Sequence, residues 1–438
     1  MGRAAAPTFP MPGAASLWAE TALPLDGAGP LIGDAEADVV IVGAGYTGLS
    51  AARRFAERGL RPIVIDASTV GWGASGRNGG VVSTKYRVSM PAVARSHGLE
   101  TARRMYRIGH EAVDAVEETV ETLAIEGADL QICGNLRCAH NGVALAALTA
   151  EAAVMRDSFG DTAIRILDAT DTAAETGSRD FVGGVLTPHS GLIHPLNYAR
   201  GMARALLARG VAVHGQTPAL RLRPEGAGVV VETPTGRIRA PRVVLATNGY
   251  SDLTLATQGV RRTLIPFRSA MVASEPLLPA VRATLMRERR SYSETRRMMR
   301  WFRPHGDRMI FGGRGAFGKS DSGAAFAALE RALRQLFPQL EGAAITHRWS
   351  GLVAMTLASV PHVGRLDERV SYALGYNGTG IAMATLMGRH VADVALGEAP
   401  DLALMNAPTL RTVPFYAVRE PAVRVVAGWY QFLDAAGR

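Results

Sequence analysis

Four consecutive branched apolar residues, Val39–Val42, follow Asp38 and predict a strand buried on both faces. Gly43-Ala44-Gly45-Tyr46-Thr47-Gly48 comes next, and small or apolar residues then recur at Gly48, Ala52, Phe55 and Ala56. That spacing of i, i+4, i+7, i+8 predicts a helix, which Gly59 ends. A second apolar strand over 61–65 closes on Asp66. Two later segments repeat the order of strand and glycine-rich loop. Residues 242–246 run into Thr247-Asn248-Gly249-Tyr250, and 370–374 into Gly375-Tyr376-Asn377-Gly378-Thr379-Gly380. A helix follows the last loop, its buried stripe marked by Ile381, Ala384, Thr385, Gly388, Val391, Ala392 and Ala395. Between these segments, strand-like runs at 269–273, 298–303 and 308–312 precede a helix over 326–337 that stops near Pro338.

The strand–helix–strand unit carries chemistry of its own. Gly43 permits the tight turn, Gly45 lets backbone approach a pyrophosphate, and Gly48 brings the helix close to the sheet. The helix N-terminus then presents free amides and a positive dipole end to the phosphates. Asp66 can accept hydrogen bonds from the hydroxyls of an adenosine ribose, and would repel a 2′-phosphate. These features together point to an ADP-containing dinucleotide. A further glycine-rich segment, Gly71-Trp72-Gly73-Ala74-Ser75-Gly76-Arg77-Asn78-Gly79-Gly80, offers unencumbered backbone to a flat ring or second phosphate. The Gly375–Gly380 loop has no following strand and acid, so its helix start suits stabilisation of negative charge on a reduced flavin.

Length and charge narrow the reading. A chain of 438 residues, 47% hydrophobic and 20% charged, suggests two closely packed domains. No apolar run reaches the roughly 18–20 residues that span a bilayer. Residues 1–30, rich in Ala, Pro and Gly, read as an arm without an export signal, so a cytoplasmic location is expected. Cys133 and Cys138 have no further cysteines to complete a zinc site, so reduced thiols and no metal are expected. The net charge of +9 comes almost wholly from arginine, Lys85 and Lys319 being the only lysines. No nucleic-acid-binding module accompanies it, and no nucleic-acid partner is expected. The arginine-rich segment 282–303 reads either as a solvated face or as a site for a substrate carboxylate.

The GAGYTG, GWGASGRNGG, ATNGY and GYNGTGIAMAT motifs resemble those of FAD-dependent oxidoreductases of the D-amino-acid oxidase superfamily, closest to the gamma-glutamylputrescine oxidase-like branch. Ser16-Leu17-Trp18, the segment Ser190 to Pro195, the segment Trp349 to Leu352 and Pro414-Phe415-Tyr416 extend the resemblance over roughly residues 17–435. It implies an α/β fold (α+β overall): a Rossmann-type FAD-binding domain from 37–90, 190–265 and 345–410, and a substrate domain on an antiparallel sheet from 91–189 and 266–344. Residues 1–36 would form the arm and 411–438 a C-terminal tail.

The resemblance also assigns roles. Gly43, Gly45, Tyr46, Thr47 and Gly48 would meet the pyrophosphate, and Asp66 and Ala67 the ribose. Gly73, Ala74, Ser75, Arg77, Asn78 and Gly79 would meet phosphate and flavin, with Thr247, Asn248 and Gly249 at a neighbouring strand end. Gly378, Thr379, Gly380 and Ile381 would hold the flavin pyrimidine edge. Neither cysteine matches a covalent attachment motif, so FAD is expected to be noncovalent. The implied reaction passes a hydride from the carbon beside a neutral amine to flavin N5, and the imine hydrolyses in water. No catalytic residue is assigned. Pocket candidates are His194, Tyr250, Arg314, Trp349 and Tyr376: His194 as a structural histidine or a pocket group, Arg314 as a carboxylate partner. Some relatives place a lysine over the flavin to help oxygen accept electrons, and the run 309–315 has none, so the acceptor is left open among oxygen, a quinone and a carrier protein, with oxygen the favoured one. The alternatives are a D-amino-acid or imino-acid dehydrogenase and, in another class, a flavin-binding subunit of an electron-transfer or nucleic-acid-modifying assembly.

Overall fold

In the computed structural model the residues described are 16–314, 323–407, 409–419, 421, 425, 428 and 429. Val39–Val42 lies in the interior of a six-stranded sheet ordered His362–Arg365, Val370–Leu374, Arg242–Leu245, Val39–Val42, Pro62–Ile65, Ala212–His214. All its pairings are parallel except that of the His362–Arg365 edge strand. Alternate residues explain why the runs are apolar throughout. Val39, Ile41, Val64 and Val244 face a layer of helices that includes Tyr46–Glu57, Leu99–Thr122, Pro195–Ala208 and Gly380–Ala395. Val40, Val42, Ile63, Ile65, Val243 and Leu245 face the opposite way, against a small sheet built on the meander Arg221–Glu225, Gly228–Glu232, Arg237–Ala240. Both faces being covered, Val39–Val42, Pro62–Ile65 and Val370–Leu374 are buried at every position.

A larger mixed sheet of eight strands runs Ile345–Met355, Ile265–Ser274, Arg308–Arg314, Arg300–His305, Ser291–Glu294, Asn135–Ala139, Gly183–Thr187, Arg165–Leu167. Its pairs are antiparallel apart from Ser291–Glu294 with Asn135–Ala139. The strand-like runs expected between 266 and 344 are the middle of this sheet. Ile345–Met355, grouped from the sequence with the nucleotide-binding segments, instead pairs along the whole of Ile265–Ser274. Helix Gly323–Leu336 packs on the sheet through Leu329, Ala332, Leu333 and Leu336.

Residues 16–36, read from the sequence as part of an arm, are threaded into the molecule. Ser16 caps the short helix Leu17–Thr21, Trp18 is fully buried, and Ala35–Glu36 pairs in parallel with the meander. Their composition supplies no core of its own, so the segment is held by side chains of others: Asn197 Oδ1 accepts from Leu23 N at 2.8 Å, and Thr217 Oγ1 from Leu31 N at 3.0 Å. Among the described residues no helix is long and apolar enough to cross a membrane.

Candidate functional site

The first glycine loop is shaped by what it cannot accommodate. Gly43 has φ +114°, and a Cβ there would lie 2.8 Å from the Ala246 carbonyl oxygen. At Gly48 a Cβ would come within 1.8 Å of the Gly43 carbonyl, so glycine is the only residue that lets the helix sit this close to the turn. Asp66 reaches back from the end of its strand. Its Oδ2 accepts from Ala44 N at 2.7 Å and its Oδ1 from Ser68 N at 2.9 Å. Loss of water pushes the carboxyl up to about 6, and the two backbone amides pull the other way. Each oxygen keeps a lone pair for a further donor.

The second glycine loop crosses over the first. Ser75 Oγ accepts from Tyr46 N at 3.2 Å, and Tyr46 Oη donates to the Ser75 carbonyl at 2.5 Å. Asn78 turns inward, donating to the Ala74 carbonyl at 3.0 Å and accepting from Gly80 N at 2.7 Å. Arg77 folds back over Trp72, its guanidinium carbon 4.0 Å from the ring centre and its Nε donating to the Trp72 carbonyl at 2.9 Å. The third loop is tied to the first by Thr47 Oγ1 and Tyr376 Oη at 2.7 Å. Asn248, at φ +42°, accepts from Gly375 N at 2.8 Å.

All three loops open on one cavity of about 680 Å³. Two helix N-termini reach it, those of Tyr46–Glu57 and Gly380–Ala395; neither is capped by the side chain of its own N-cap residue, and Ser75 Oγ takes only the first amide, Tyr46 N, of the former. Ser16, Ser89, Asn141, Asp168 and His194 cap five other helices. Uncapped ends facing a cavity leave their amides and dipoles to a ligand, as an anionic dinucleotide requires.

Residues 38–394 match the FAD dependent oxidoreductase (DAO) family. The chain belongs to this family. Curated relatives include the probable oxidoreductase OrdL of Haemophilus influenzae, 31% identical over 414 residues, covering 92% of this chain and 94% of the relative. Gamma-glutamylputrescine oxidoreductase of Escherichia coli is 30% identical over 402 residues, covering 91% of this chain and 93% of that one. Among solved structures, glycine oxidase from Geobacillus kaustophilus superposes with a TM-score of 0.71 at 21% identity, covering 84% of this chain and 96% of that chain. The chain is thus an FAD-dependent oxidoreductase close to amine and amino-acid oxidases, with the fold of that group.

Of the residues expected at the cofactor, all but Gly48 and Gly249 line the cavity. Gly48 acts beneath the turn, and Gly249 packs against Leu352, where a Cβ would lie 3.3 Å from the Leu352 Cβ. The DAO pocket candidates divide. Tyr250 lines the cavity, its hydroxyl accepting from Leu352 N at 3.3 Å, and Tyr376 lines it beside Thr47. Trp349 does not; it is buried, and its Nε1 donates to the Arg77 carbonyl at 3.2 Å. His194 is the structural alternative: buried outside the cavity wall, it caps helix Pro195–Ala208 by accepting from Asn197 N at 3.2 Å. Burial, then the neighbouring His305, hold it down to about 3, hence neutral. Arg314 ends its strand, and its side chain lies outside the described residues, as does Lys319.

Three contributors escaped the sequence reading. Trp301 lines the cavity where Gly79 and Gly312 leave room for its ring; a Cβ on either would lie within 2.5 Å of it. Arg303 is buried and donates to the carbonyls of Gly80 and Ile193 at 2.9 Å, which clamps the second loop. Lys85 lines the cavity with Arg137. No arginine of 282–303 lines the cavity, Arg303 acting on the loop from behind it. Arg290 pairs with Glu175 at 3.0 Å, Arg296 with Asp180 at 2.8 Å, and Arg300 with the buried Glu294 at 3.5 Å.

Proposed function

We propose that this DAO-family chain binds FAD noncovalently across its three glycine loops and oxidises a C–N bond of a small primary or secondary amine, with oxygen as acceptor. The observation that carries the proposal is the convergence of two uncapped helix N-termini and Asp66 on a single cavity that continues under the large sheet. In this reading the Tyr46–Glu57 N-terminus takes the pyrophosphate and Asp66 the ribose. The N-terminus of Gly380–Ala395 takes the flavin pyrimidine edge. No cysteine or histidine lines the cavity among the described residues, which supports a noncovalent flavin. Relatives named for gamma-glutamylputrescine and glycine oxidation support an amine as substrate.

FAD held there would supply the acceptor for a hydride from the carbon beside the amine nitrogen. The chain's own contribution is placement. Tyr250, Trp301 and Tyr376 make aromatic walls that exclude water and direct the amine, and the Thr47–Tyr376 bond keeps two of the glycine loops in register. Burial holds the Tyr376 phenol well above its ordinary range, so it stays a neutral hydrogen-bonding group. The experiment is anaerobic bleaching of the flavin over a panel of amines, amino acids and hydroxy acids, followed by air. Amines are expected to bleach it, and colour should return rapidly in air. Bleaching by hydroxy acids alone would refute the reading, and slow recovery in air would move the acceptor to a quinone or carrier. Acid precipitation is expected to leave a colourless pellet.

A further inference from the structure

A second cluster of titratable side chains lies outside the cavity wall, on helix Leu99–Thr122. His110, Asp114 and Glu117 follow at i, i+4 and i+7 and share one helical face. Opposite them stands His189, on the two-residue link between strands Gly183–Thr187 and Ser190–Leu192. That link has little freedom: Thr187 is paired with Asn135, Ser190 is paired with Ser83, and Ser190 N donates to the Pro188 carbonyl at 2.8 Å across His189. His189 Nε2 lies 3.0 Å from Asp114 Oδ1 and 3.8 Å from Glu117 Oε2. One ligand atom from each of these three residues falls within 4.8 Å of the other two. On the other side of the ring, His189 Nδ1 meets His110 Nδ1 at 2.7 Å.

The charge here sets the cluster apart from the rest of its helix. Glu100 is paired with Arg103, Glu111 with Arg104, and Glu118 with Arg53 and Arg389. Among the described residues Asp114 and Glu117 have no lysine or arginine within 4.0 Å, although the chain carries 48 of these residues, and only His189 faces them. Two facing ring nitrogens hold one proton between them, so one of the two must accept. Burial, then His189, press His110 below its ordinary range, which makes it a neutral ring able to accept. His189 can therefore carry its proton on Nδ1 and turn Nε2 to the carboxylates. Metal-ligating imidazoles are oriented in this way, one nitrogen on the ion and the other donating to a supporting acceptor.

We propose that His189 Nε2, Asp114 and Glu117 form a binding site for one divalent first-row metal ion of the zinc class, with His110 as the positioning residue behind His189. The separations of 3.0 and 3.8 Å bracket the ~3.4 Å expected between neighbouring ligands of a tetrahedral ion with bonds of about 2.1 Å. Two carboxylates balance the charge of the ion, the imidazole favours zinc over magnesium or calcium, and water takes the fourth position. The ion replaces the proton between Nε2 and Asp114, which leaves to solvent. Bound there, it ties the helix to the large sheet behind the cavity. Thr187 and Tyr106 both line that cavity, and the Tyr106 ring packs against His110 with centroids 4.4 Å apart. The site stands independently of the amine-oxidising reading.

The test is calorimetric titration of chelator-treated, FAD-loaded enzyme with zinc chloride. One ion per chain is expected, with a dissociation constant in the micromolar range, and magnesium and calcium should bind at least tenfold more weakly. His189→Gln, Asp114→Asn and Glu117→Gln should each weaken zinc at least tenfold, whereas Cys133→Ser should leave it unchanged. Saturating zinc should raise the melting temperature of the wild type by a few degrees and leave that of His189→Gln unmoved. His110→Phe keeps a ring against Tyr106 but offers no acceptor. It should weaken zinc about tenfold without lowering the metal-free melting temperature, and His110→Gln should restore most of the affinity. Zinc binding no tighter than millimolar, or an affinity unchanged by His189→Gln and Asp114→Asn, would overturn the site. Calcium binding as tight as zinc would also overturn it, because an acidic patch without the imidazole then accounts for the ion.

Discussion

Arg303 is a guanidinium buried without a carboxylate, and replacing it by methionine sets two large effects against each other. Methionine keeps much of the bulk and removes every donor. Hydrogen bonds from a charged donor contribute about 1.5–3 kcal/mol each. Arg303 makes them to the carbonyls of Gly80 and Ile193 at 2.9 Å and Pro304 at 3.0 Å, with a longer one to Gly79 at 3.3 Å. Their loss is on the order of 6 kcal/mol, although Gly80 keeps the Ile193 N–H as a partner. Against this, burial pushes the guanidinium down to about 9, on the order of 5 kcal/mol of disfavour for the charged form, which methionine relieves. Arg303 also lies 5.4 Å from the ring centre of Trp18, a cation–π contact of about 1 kcal/mol. The balance is a destabilisation on the order of 2 kcal/mol. Because two of the released carbonyls, those of Gly79 and Gly80, belong to the second glycine loop, of which Gly79 lines the cavity, FAD affinity should fall about tenfold, the equivalent of ~1.4 kcal/mol. Urea unfolding of FAD-stripped protein and a fluorescence titration with FAD read the two effects separately. Arg303→Lys should fall between the wild type and the methionine variant, since a single nitrogen, Nη1, meets three of the four carbonyls and only the Nε bond to Pro304 depends on the guanidinium. An Arg303→Met protein as stable as the wild type, with unchanged FAD affinity, would refute the clamp and show that charge burial dominates.

Gly48→Ala forces the helix off its turn, since a Cβ would stand 1.8 Å from the Gly43 carbonyl; a loss of about 3 kcal/mol and purification without yellow colour are expected. Gly312→Ala would place a Cβ 2.0 Å from the Trp301 ring and drive it into the cavity, so half-saturation by amines should rise severalfold while melting temperature changes little. His194 gives a pH signature. Its Nδ1 accepts from Asn197 N, and its Nε2–H faces Thr21 Oγ1, whose own proton goes to the Leu17 carbonyl. Protonating Nδ1 would set N–H against N–H. With the folded-state value near 3 and the unfolded value near 6.5, His194's contribution is complete above about pH 6.5 and falls as the pH drops toward 3. The loss at pH 5 is about 2 kcal/mol; a shallower dependence of the urea midpoint on pH is expected for His194→Asn, and an unchanged slope would contradict the assignment.

The parts of the site legible in the sequence act over short spans. The Gly43–Gly48 turn, its helix and Asp66 lie within one strand–helix–strand unit, so spacing alone exposes them. The continuous apolar runs likewise reveal strands covered on both faces. His194 was legible only as two alternatives, because a histidine before proline fits both a cap and a pocket, and only its position behind the cavity wall separates them. The arm reading of residues 16–36 missed their burial because the groups that hold them, Asn197, Thr217 and Asn78, sit far along the chain.

Arg303 and Gly79 are 224 residues apart, and nothing in either neighbourhood signals the other. The same holds for Trp301 against Gly79. The sequence by itself determined the dinucleotide-binding unit, the family and the buried strands, since these depend on local sterics and periodicity. Only the tertiary structure decided which of many arginines line the cavity and which aromatic residues wall it. Those properties arise when side chains from distant segments lose water together, and no local pattern encodes that encounter.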